Sequence, residues 1–270
     1  MGERSKIEWT DATWNPVTGC TKISPGCKNC YAERMALRLK AMGQPRYANG
    51  FAVATHADAL TVPLRWKKPR RIFVNSMSDL FHEDVPLWFV VAVFAVMEAT
   101  PRHIYQILTK RASRMARITL SPQFPALTRK YGIDRLISKG YMSRGPHWHS
   151  NVILGASIED QQRADERMGP LCELGEADWH TMVSAEPLLG SVVLPERYLA
   201  LGKRAWCIAG GESGPKARPS HPGHFRSLRD QCQAAAVPYF LKQMEVGGKI
   251  VKLPMLDGYR WDEVPEVIRG

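Results

Sequence analysis

Short apolar runs alternate with helical patterns along most of this chain of 270 residues. Continuous apolar runs suit strands that are buried on both faces, and a helix between two such strands lets them run parallel. The alternation therefore predicts an α/β fold, in which about six parallel strands are covered by helices and close into a complete or partial (β/α) barrel. The predicted strands are 13–17, 71–75, 103–108, 152–155, 180–183, 205–209 and 239–241, and the predicted helices are 29–42, 87–100, 113–118, 160–174 and 225–236.

The chain shows no low-complexity linker and no internal repeat, so we expect a single domain over residues 1–270. A hydrophobic content of 44% is enough for one substantial core. Residues 120–150 fit the alternation poorly, because Pro, Arg, Lys and His are frequent there. We predict that this segment is an insertion or a lid.

Polar residues follow the apolar part of each predicted strand. The carboxyl ends of parallel strands form the active-site rim of a barrel, so these residues predict a pocket that carries both signs of charge. A carboxylate at such a position can instead cap the next helix, and both interpretations stay open for each one. The rim candidates are Asn75, Ser76, Ser78, Asp79, Thr109, Lys110, Ser157, Glu159, Ser184, Glu186, Glu212, Ser213, Lys242 and Gln243.

Three cysteines lie within eleven residues near the start of the chain, at Cys20, Cys27 and Cys30. A structural zinc site needs four protein ligands, whereas three thiolates on a [4Fe–4S] cluster leave one iron open for a reactive ligand. The motif contains no histidine, and the nearest one is His56. The spacing therefore favours an iron–sulfur cluster, while zinc with a fourth ligand from elsewhere in the chain stays open.

The C-x6-C-x2-C run, with Tyr31 beside the last cysteine, looks like a variant of the radical S-adenosylmethionine (SAM) cluster loop, C-x3-C-x2-C. It departs from that loop in its longer first gap and in Asn29, which stands where an aromatic residue is common. Over nearly the whole chain, the sequence resembles a phage and bacterial family that is regarded as radical-SAM-like and distantly similar to spore photoproduct lyase. The segments that carry the resemblance are IEWTDATWNPVTGC, FVNSMSDLFHEDVP, YQILTKR, NVILGASIEDQ, VSAEPLLG, GGESGPKARP and VPYFLKQ.

The resemblance implies a barrel of radical SAM type and an enzyme that cleaves SAM and abstracts hydrogen from a substrate. It implies that Cys20, Cys27 and Cys30 hold the [4Fe–4S] cluster, and that an electron donor such as flavodoxin or ferredoxin reduces it. The likeness to a DNA-repair lyase favours repair or modification of a nucleic acid. The residues expected to contact SAM are Tyr31, Ser76, Asp79, Lys110, Ser157 and Glu186.

Cys207 is the candidate for a hydrogen-atom donor, because a cysteine has that role in spore photoproduct lyase. The alternative is that it packs in the core, as we expect for Cys172 and Cys232. The glycine-rich segment 210–215 is either a phosphate-binding turn, with Lys216 and Arg218 beside it, or a plain tight turn. His221 and His224 either act on a substrate or begin the helix that follows.

The formal charge of +11 suggests a polyanionic partner, DNA or RNA. The basic residues concentrate in 65–71, at Lys110, Arg111, Arg114 and Arg117, and near Lys216 and Arg218. Trp66 lies within the first cluster, where an aromatic ring can stack on a base. The alternatives are that the basic residues form a solvated face, and that the substrate is a peptide or a small metabolite.

The apolar run 87–97 is too short to span a bilayer and is predicted to be a buried helix. The first residues, MGERSKIEW, lack the apolar core of a signal peptide. These features predict a cytoplasmic protein without membrane contact. An alternative, non-enzymatic function is that of a nucleic-acid-binding protein in which the three cysteines help to hold zinc.

Overall fold

The structure is a computed structural model that describes residues 5–135, 150–214 and 216–269. The chain is α/β and divides into two compact units. The first unit comprises Met1–Thr21 and Ala32–Ile153, and the second comprises Lys22–Tyr31 and Leu154–Gly270. The prediction of a single domain stays a prediction.

The described residues contain helices and strands in alternation. The helices are α1 (Tyr31–Ala41), α2 (Ala57–Leu60), α3 (Leu87–Glu98), α4 (Ala112–Thr119), α5 (Phe124–Arg135), α6 (Gln161–Glu176), α7 (Glu196–Leu199), α8 (Pro222–Ala234) and α9 (Glu266–Arg269). The strands are β1 (Ala12–Trp14), β2 (Val17–Thr18), β3 (Ala54–Thr55), β4 (Arg71–Val74), β5 (Ile104–Thr109), β6 (Val152–Ile158), β7 (His180–Ala185), β8 (Ala205–Gly210), β9 (Tyr239–Val246), β10 (Lys249–Lys252), β11 (Met255–Leu256) and β12 (Tyr259–Arg260).

Eight strands belong to a mostly parallel sheet in the order β1-β4-β5-β6-β7-β8-β9-β10. In the first unit, β4 runs parallel to β1 and to β5, with Ile72 opposite Ala12 and Tyr105. In the second unit, β8 runs parallel to β7 and to β9, and β10 returns antiparallel to β9. The sheet thus has the parallel connections that the alternation of elements predicts, and it has more strands than the predicted six.

Helix α3 illustrates how the sequence builds the core of the first unit. Its residues from Phe89 to Glu98 are all buried, because the helix is apolar around its whole circumference. Pro86 precedes it in an extended conformation, and Pro101 follows shortly after its end, where a proline cannot continue a helix. The prediction of a buried helix is confirmed. Among the described residues, we find no helix that is long and apolar enough to cross a membrane.

The core of the second unit is formed by strands whose residues are buried on both faces. All six residues of β8 are buried, which is typical of a central parallel strand. Helix α6 packs against β7, and α8 packs against β8 and β9. Helix α6 begins at Asp160, whose side chain accepts a hydrogen bond from the amide of Arg163 and so caps the helix.

The predicted strands and helices are confirmed as elements, with shifts at their ends. The predicted strand 13–17 is in fact two strands, β1 and β2, which are separated by Asn15 and Pro16. Strand β10 was not predicted, because its four residues are all exposed and half of them are lysines. The predicted insertion 120–150 contains α5 over Phe124–Arg135, and its residues 136–149 lie outside the described part of the chain.

Candidate functional site

The three clustered cysteines are partly exposed and none of them is in a disulfide bond, whereas Cys172, Cys207 and Cys232 are buried. Cys20 belongs to the first unit, and Cys27 and Cys30 belong to the second. Cys27 ends a short 3-10 turn, Pro25–Cys27, and Cys30 directly precedes α1. Within the described residues, no group of three or more His, Cys, Asp or Glu side chains is arranged to hold a metal ion.

The backbone at Cys20 is fixed by its neighbour Gly19. Gly19 has a φ of +83°, and a Cβ there would lie 2.1 Å from the carbonyl oxygen of Ala52, so only glycine fits. The amide of Gly19 donates to the carbonyl of Met77, and the amide of Cys20 donates to that of Phe51. These contacts place Cys20 beside the residues that follow β4 and those that precede β3.

Arg111 is a charged side chain that contacts Cys20. Its Nη1 lies 3.6 Å from the Cys20 Sγ and 3.1 Å from a carboxylate oxygen of Asp79, and its Nη2 donates to the Thr21 hydroxyl at 2.9 Å. Its Nε donates to Glu83 at 2.7 Å. Burial alone would lower the pKa of Arg111, but Asp79 and Glu83 raise it, and the net pKa lies well above the usual range. Arg111 is therefore a permanent cation beside this sulfur.

Asp79, which the sequence predicts as a SAM contact, is buried and already bound to protein groups. It accepts hydrogen bonds from the Thr109 hydroxyl at 2.7 Å, from the amide of Lys110 and from Arg111. In the first unit it orients Arg111. Ser76, another predicted contact, donates to the Asn15 side chain at 3.2 Å.

His82 is a residue that the sequence reasoning missed. Its Nε2 lies 2.8 Å from the hydroxyl of Thr21, the residue after Cys20, and its side chain is buried. Burial lowers the pKa of His82, and the positive charge of Arg111 lowers it further. The imidazole is thus neutral near pH 7, and it helps to fix the chain next to Cys20.

In the second unit, Glu212 and Arg218 form a bidentate ion pair after β8. Arg218 donates to Glu212 from Nε at 2.9 Å and from Nη2 at 2.5 Å, and its backbone amide also donates to this carboxylate. The Arg218 hydrogen bonds lower the pKa of Glu212 to about 2, with a further contribution from Asn29. Neither interpretation of segment 210–215 predicted that Glu212 would accept hydrogen bonds from Arg218 and Asn29.

Asn29 connects the ion pair of Glu212 and Arg218 to the segment 22–31, which carries Cys27 and Cys30. Its Nδ2 donates to Glu212 at 2.9 Å and to the carbonyl of Lys216 at 2.8 Å. Arg218 in turn donates from Nη2 to the carbonyl of Pro25 at 3.1 Å. The loop after β8 thus holds the chain on both sides of Cys27.

Glu159 makes the second set of contacts to this segment. It is fully buried, accepts from the amide of Gly26 at 3.1 Å, and pairs with Arg167 at 2.9 Å. The cap of α6 is Asp160, so the alternative that Glu159 caps this helix is wrong. The sequence offers two adjacent carboxylates here, and the fold selects Glu159 for the interior.

Of the other predicted residues in the second unit, Ser157 and Glu186 lie at or next to strand ends, and Tyr31 is the first residue of α1. Ser157 is partly buried within β6, and Tyr31 is exposed. Glu186, after β7, pairs with Lys242 of β9 at 3.0 Å and accepts from the Ser184 hydroxyl at 3.2 Å. Glu186 and Lys242 bring both signs of charge together, and Lys242 lies in the middle of β9 and not at its end.

Cys207 is fully buried at the third position of β8. A hydrogen bond with Cys232 and burial together raise the pKa of the Cys207 thiol well above its usual range. It is therefore a protonated thiol at neutral pH. His221 caps α8 by accepting from the amide of Gly223, which confirms its expected place at the start of that helix.

Several predicted basic contacts are engaged within the protein. Arg71 forms an ion pair with Asp11, and Arg114 donates to backbone carbonyls of the loop before α3, including that of Val85. Trp66 is buried and has the Arg70 guanidinium 5.1 Å from its ring, so the idea that it stacks on a base is wrong. Arg65, Lys67, Lys68 and Arg117 are exposed.

A family model described as a protein of unknown function, DUF5131, matches residues 4–265 of the chain. No curated protein and no solved structure matches it.

Proposed function

Because the chain belongs to this family of unknown function, its own residues must carry the argument, and we propose that it is a radical SAM enzyme. The observation that supports this most is the donor set: three partly exposed thiols within eleven residues, without a histidine among them. Such a set fits a [4Fe–4S] cluster with one open iron. We further propose that the sheet is a partial barrel of radical SAM type.

The thiols of Cys20, Cys27 and Cys30 would hold the cluster. When bound, the cluster and SAM would supply reductive cleavage of SAM and hydrogen abstraction from a substrate. The chain's own task is to orient the thiols, which the contacts of Arg111, Glu159 and Glu212 support. The proposed electron donor is a flavodoxin or a ferredoxin.

The proposed SAM contacts are residues that the sequence predicts for this role. Ser157 offers a hydroxyl for a ribose, and Lys110 offers a cation for a carboxylate or a substrate phosphate. Glu186 and Tyr31 offer further polar atoms, whereas Asp79 and Ser76 act through their protein partners. We keep Cys207 as the proposed hydrogen-atom donor, and its protonated thiol carries the hydrogen that this role requires.

The test of the cofactor is reconstitution of the full-length chain with iron and sulfide under anaerobic conditions. We expect about four irons and four sulfides per chain, and we expect 5′-deoxyadenosine after addition of SAM and a reductant. Zinc bound without iron or sulfide would replace this proposal by a zinc-containing, non-catalytic protein.

We propose a nucleic acid as the substrate, in repair or modification, on the strength of the net charge of +11 and the exposed Arg65, Lys67 and Lys68. A protein that neutralises phosphates loses affinity linearly on a log–log salt scale, with a slope near −0.9 per phosphate on duplex DNA. Replacing these three residues by alanine should flatten that slope by roughly one to two units.

The matched control is Arg71→Ala with Arg114→Ala, because both side chains are engaged within the protein. This control should change the slope less than the exposed set does. Affinity for DNA and RNA that is absent at low salt, or insensitive to salt, would direct the proposal to a peptide or a small metabolite.

A further inference from the structure

We propose that Glu159 and Glu212 are positioning residues that hold Cys27 and Cys30 in place before any cofactor binds. The use of these two thiols as ligands rests on the proposed function. The positioning itself is a property of the second unit, and it is testable without a cofactor.

The segment Lys22–Tyr31 has no apolar anchor of its own. Each of its residues is at least partly exposed, so burial of apolar surface contributes little to its conformation. A segment of this kind keeps one conformation only if polar contacts fix it, because ordering each residue costs conformational entropy. Its contacts with the rest of the second unit therefore decide how the two thiols are presented.

Two of those contacts fall on the residues that directly precede the two cysteines. Gly26, before Cys27, donates its amide to Glu159, and Asn29, before Cys30, donates its side chain to Glu212. Each cysteine is thus adjacent to a residue bound by a glutamate. This regularity supports positioning of the thiols better than incidental packing does.

Both glutamates are themselves held in place. Glu159 is fully buried and paired with Arg167, and Glu212 is bound by three donors of Arg218. A Cβ on Gly26 would lie 3.0 Å from the Glu159 carboxyl group, so glycine permits this close approach. A carboxylate fixed by arginine is a rigid acceptor, and hydrogen bonds to charged acceptors are among the stronger ones in proteins.

Asn29 provides the sharpest test, because aspartate has the same shape and the opposite hydrogen-bonding character. Asn29→Asp replaces two N–H donors by a carboxylate that faces Glu212 and the carbonyl of Lys216. Asn29→Ala removes the donors without adding repulsion. We therefore expect loosening of the segment to be larger in Asn29→Asp than in Asn29→Ala, although aspartate is the closer match in size.

The measurement is hydrogen exchange of the full-length, reduced chain, followed by mass spectrometry of peptides from 22–31. We expect exchange in Asn29→Asp to be about tenfold faster than in the parent, since a charge-assisted hydrogen bond is lost. Peptides from β7 should be unchanged, which shows that the unit stays folded. Asn49→Asp, the same substitution at an exposed position of the first unit, should leave residues 22–31 as in the parent.

A second readout uses the reconstituted protein and a chelator. If the segment positions two ligands, Asn29→Asp should lose iron to the chelator about tenfold faster than Asn49→Asp does. Glu212→Gln should give an intermediate rate, because it keeps one acceptor and loses the charge.

Parent-like exchange in Asn29→Asp, or faster exchange in Asn29→Ala than in Asn29→Asp, would overturn the positioning role. If Asn29→Asp exchanges faster than the parent but the parent binds neither iron nor sulfide, the positioning role would be supported and the proposed function refuted. The two ideas can therefore fail separately.

Discussion

The surroundings of Cys20 and those of Cys27 and Cys30 use charged residues in different ways. In the first unit, Arg111 contacts the sulfur of Cys20 directly. In the second unit, Glu159 and Glu212 contact the residues before the cysteines. Charge near Cys20 thus acts on the chemistry of the thiol, whereas charge near Cys27 and Cys30 acts on the conformation of the chain.

Both regions contain a buried ion pair with a carboxylate that follows a strand. In each pair, one of the two side chains also contacts a residue near the clustered cysteines. Asp79 pairs with Arg111, and Glu159 pairs with Arg167, with all four side chains at most 7% exposed. Removing one partner of such a pair leaves an uncompensated buried charge, which costs far more than the pair itself contributes. The contrast between the regions can therefore be tested by removing one residue at a time.

The largest expected effect is on stability, in Arg167→Ala. It removes the Arg167 cation from the buried Glu159 carboxylate, so we expect the free energy of unfolding in urea to fall by about 3–5 kcal/mol. Arg197→Ala is the control, because its pair with Glu176 is exposed to solvent, and it should lower the free energy of unfolding much less than Arg167→Ala does. Equal losses in the two variants would mean that Glu159 is not a desolvated charge in the folded protein.

The next effect separates the two regions by thiol chemistry. Arg111→Gln removes the positive charge beside the Cys20 sulfur, and a nearby cation favours the reactive thiolate form. We expect alkylation of Cys20 to slow by about threefold to tenfold, while Cys27 and Cys30 change little. Mass spectrometry of the labelled peptides measures all three sites at once. Equal slowing of alkylation at all three cysteines would contradict the proposed difference between the two regions.

The smallest effect concerns pH. Arg218 lowers the pKa of Glu212 from 4.5 to about 2, so the charged form stabilises the folded state. This stabilisation is fully present above about pH 4.5 and is lost as the pH falls toward 2. The stability difference between the parent and Glu212→Gln should therefore be constant at neutral pH and shrink across that window. A difference that persists unchanged at pH 2.5 would contradict the ion pair.

The sequence predicts the core of the fold because the relevant signal is local. Strand β8 is a continuous apolar run, and α3 is apolar around its circumference, so the burial of both can be predicted from their own residues. The exposed edge strand β10 lacks that signal, since its residues depend on pairing with β9 and not on burial.

Only part of the candidate site can be predicted from the sequence. The three thiols are recognisable from spacing alone, but their supporting residues come from far along the chain. Glu159 and Asp160 are adjacent and chemically alike, and only the direction of β6 decides which one is buried. Arg111 is one of several arginines in a basic cluster until the fold pairs it with Asp79.

The most direct test of the central claim is the iron content of single cysteine variants after anaerobic reconstitution. We predict a full cluster in the parent and in Cys172→Ala, because Cys172 is buried in α6, and loss of the cluster in Cys20→Ala, Cys27→Ala and Cys30→Ala. A full iron and sulfide complement retained in Cys27→Ala would contradict the assignment of the three cysteines as the ligands.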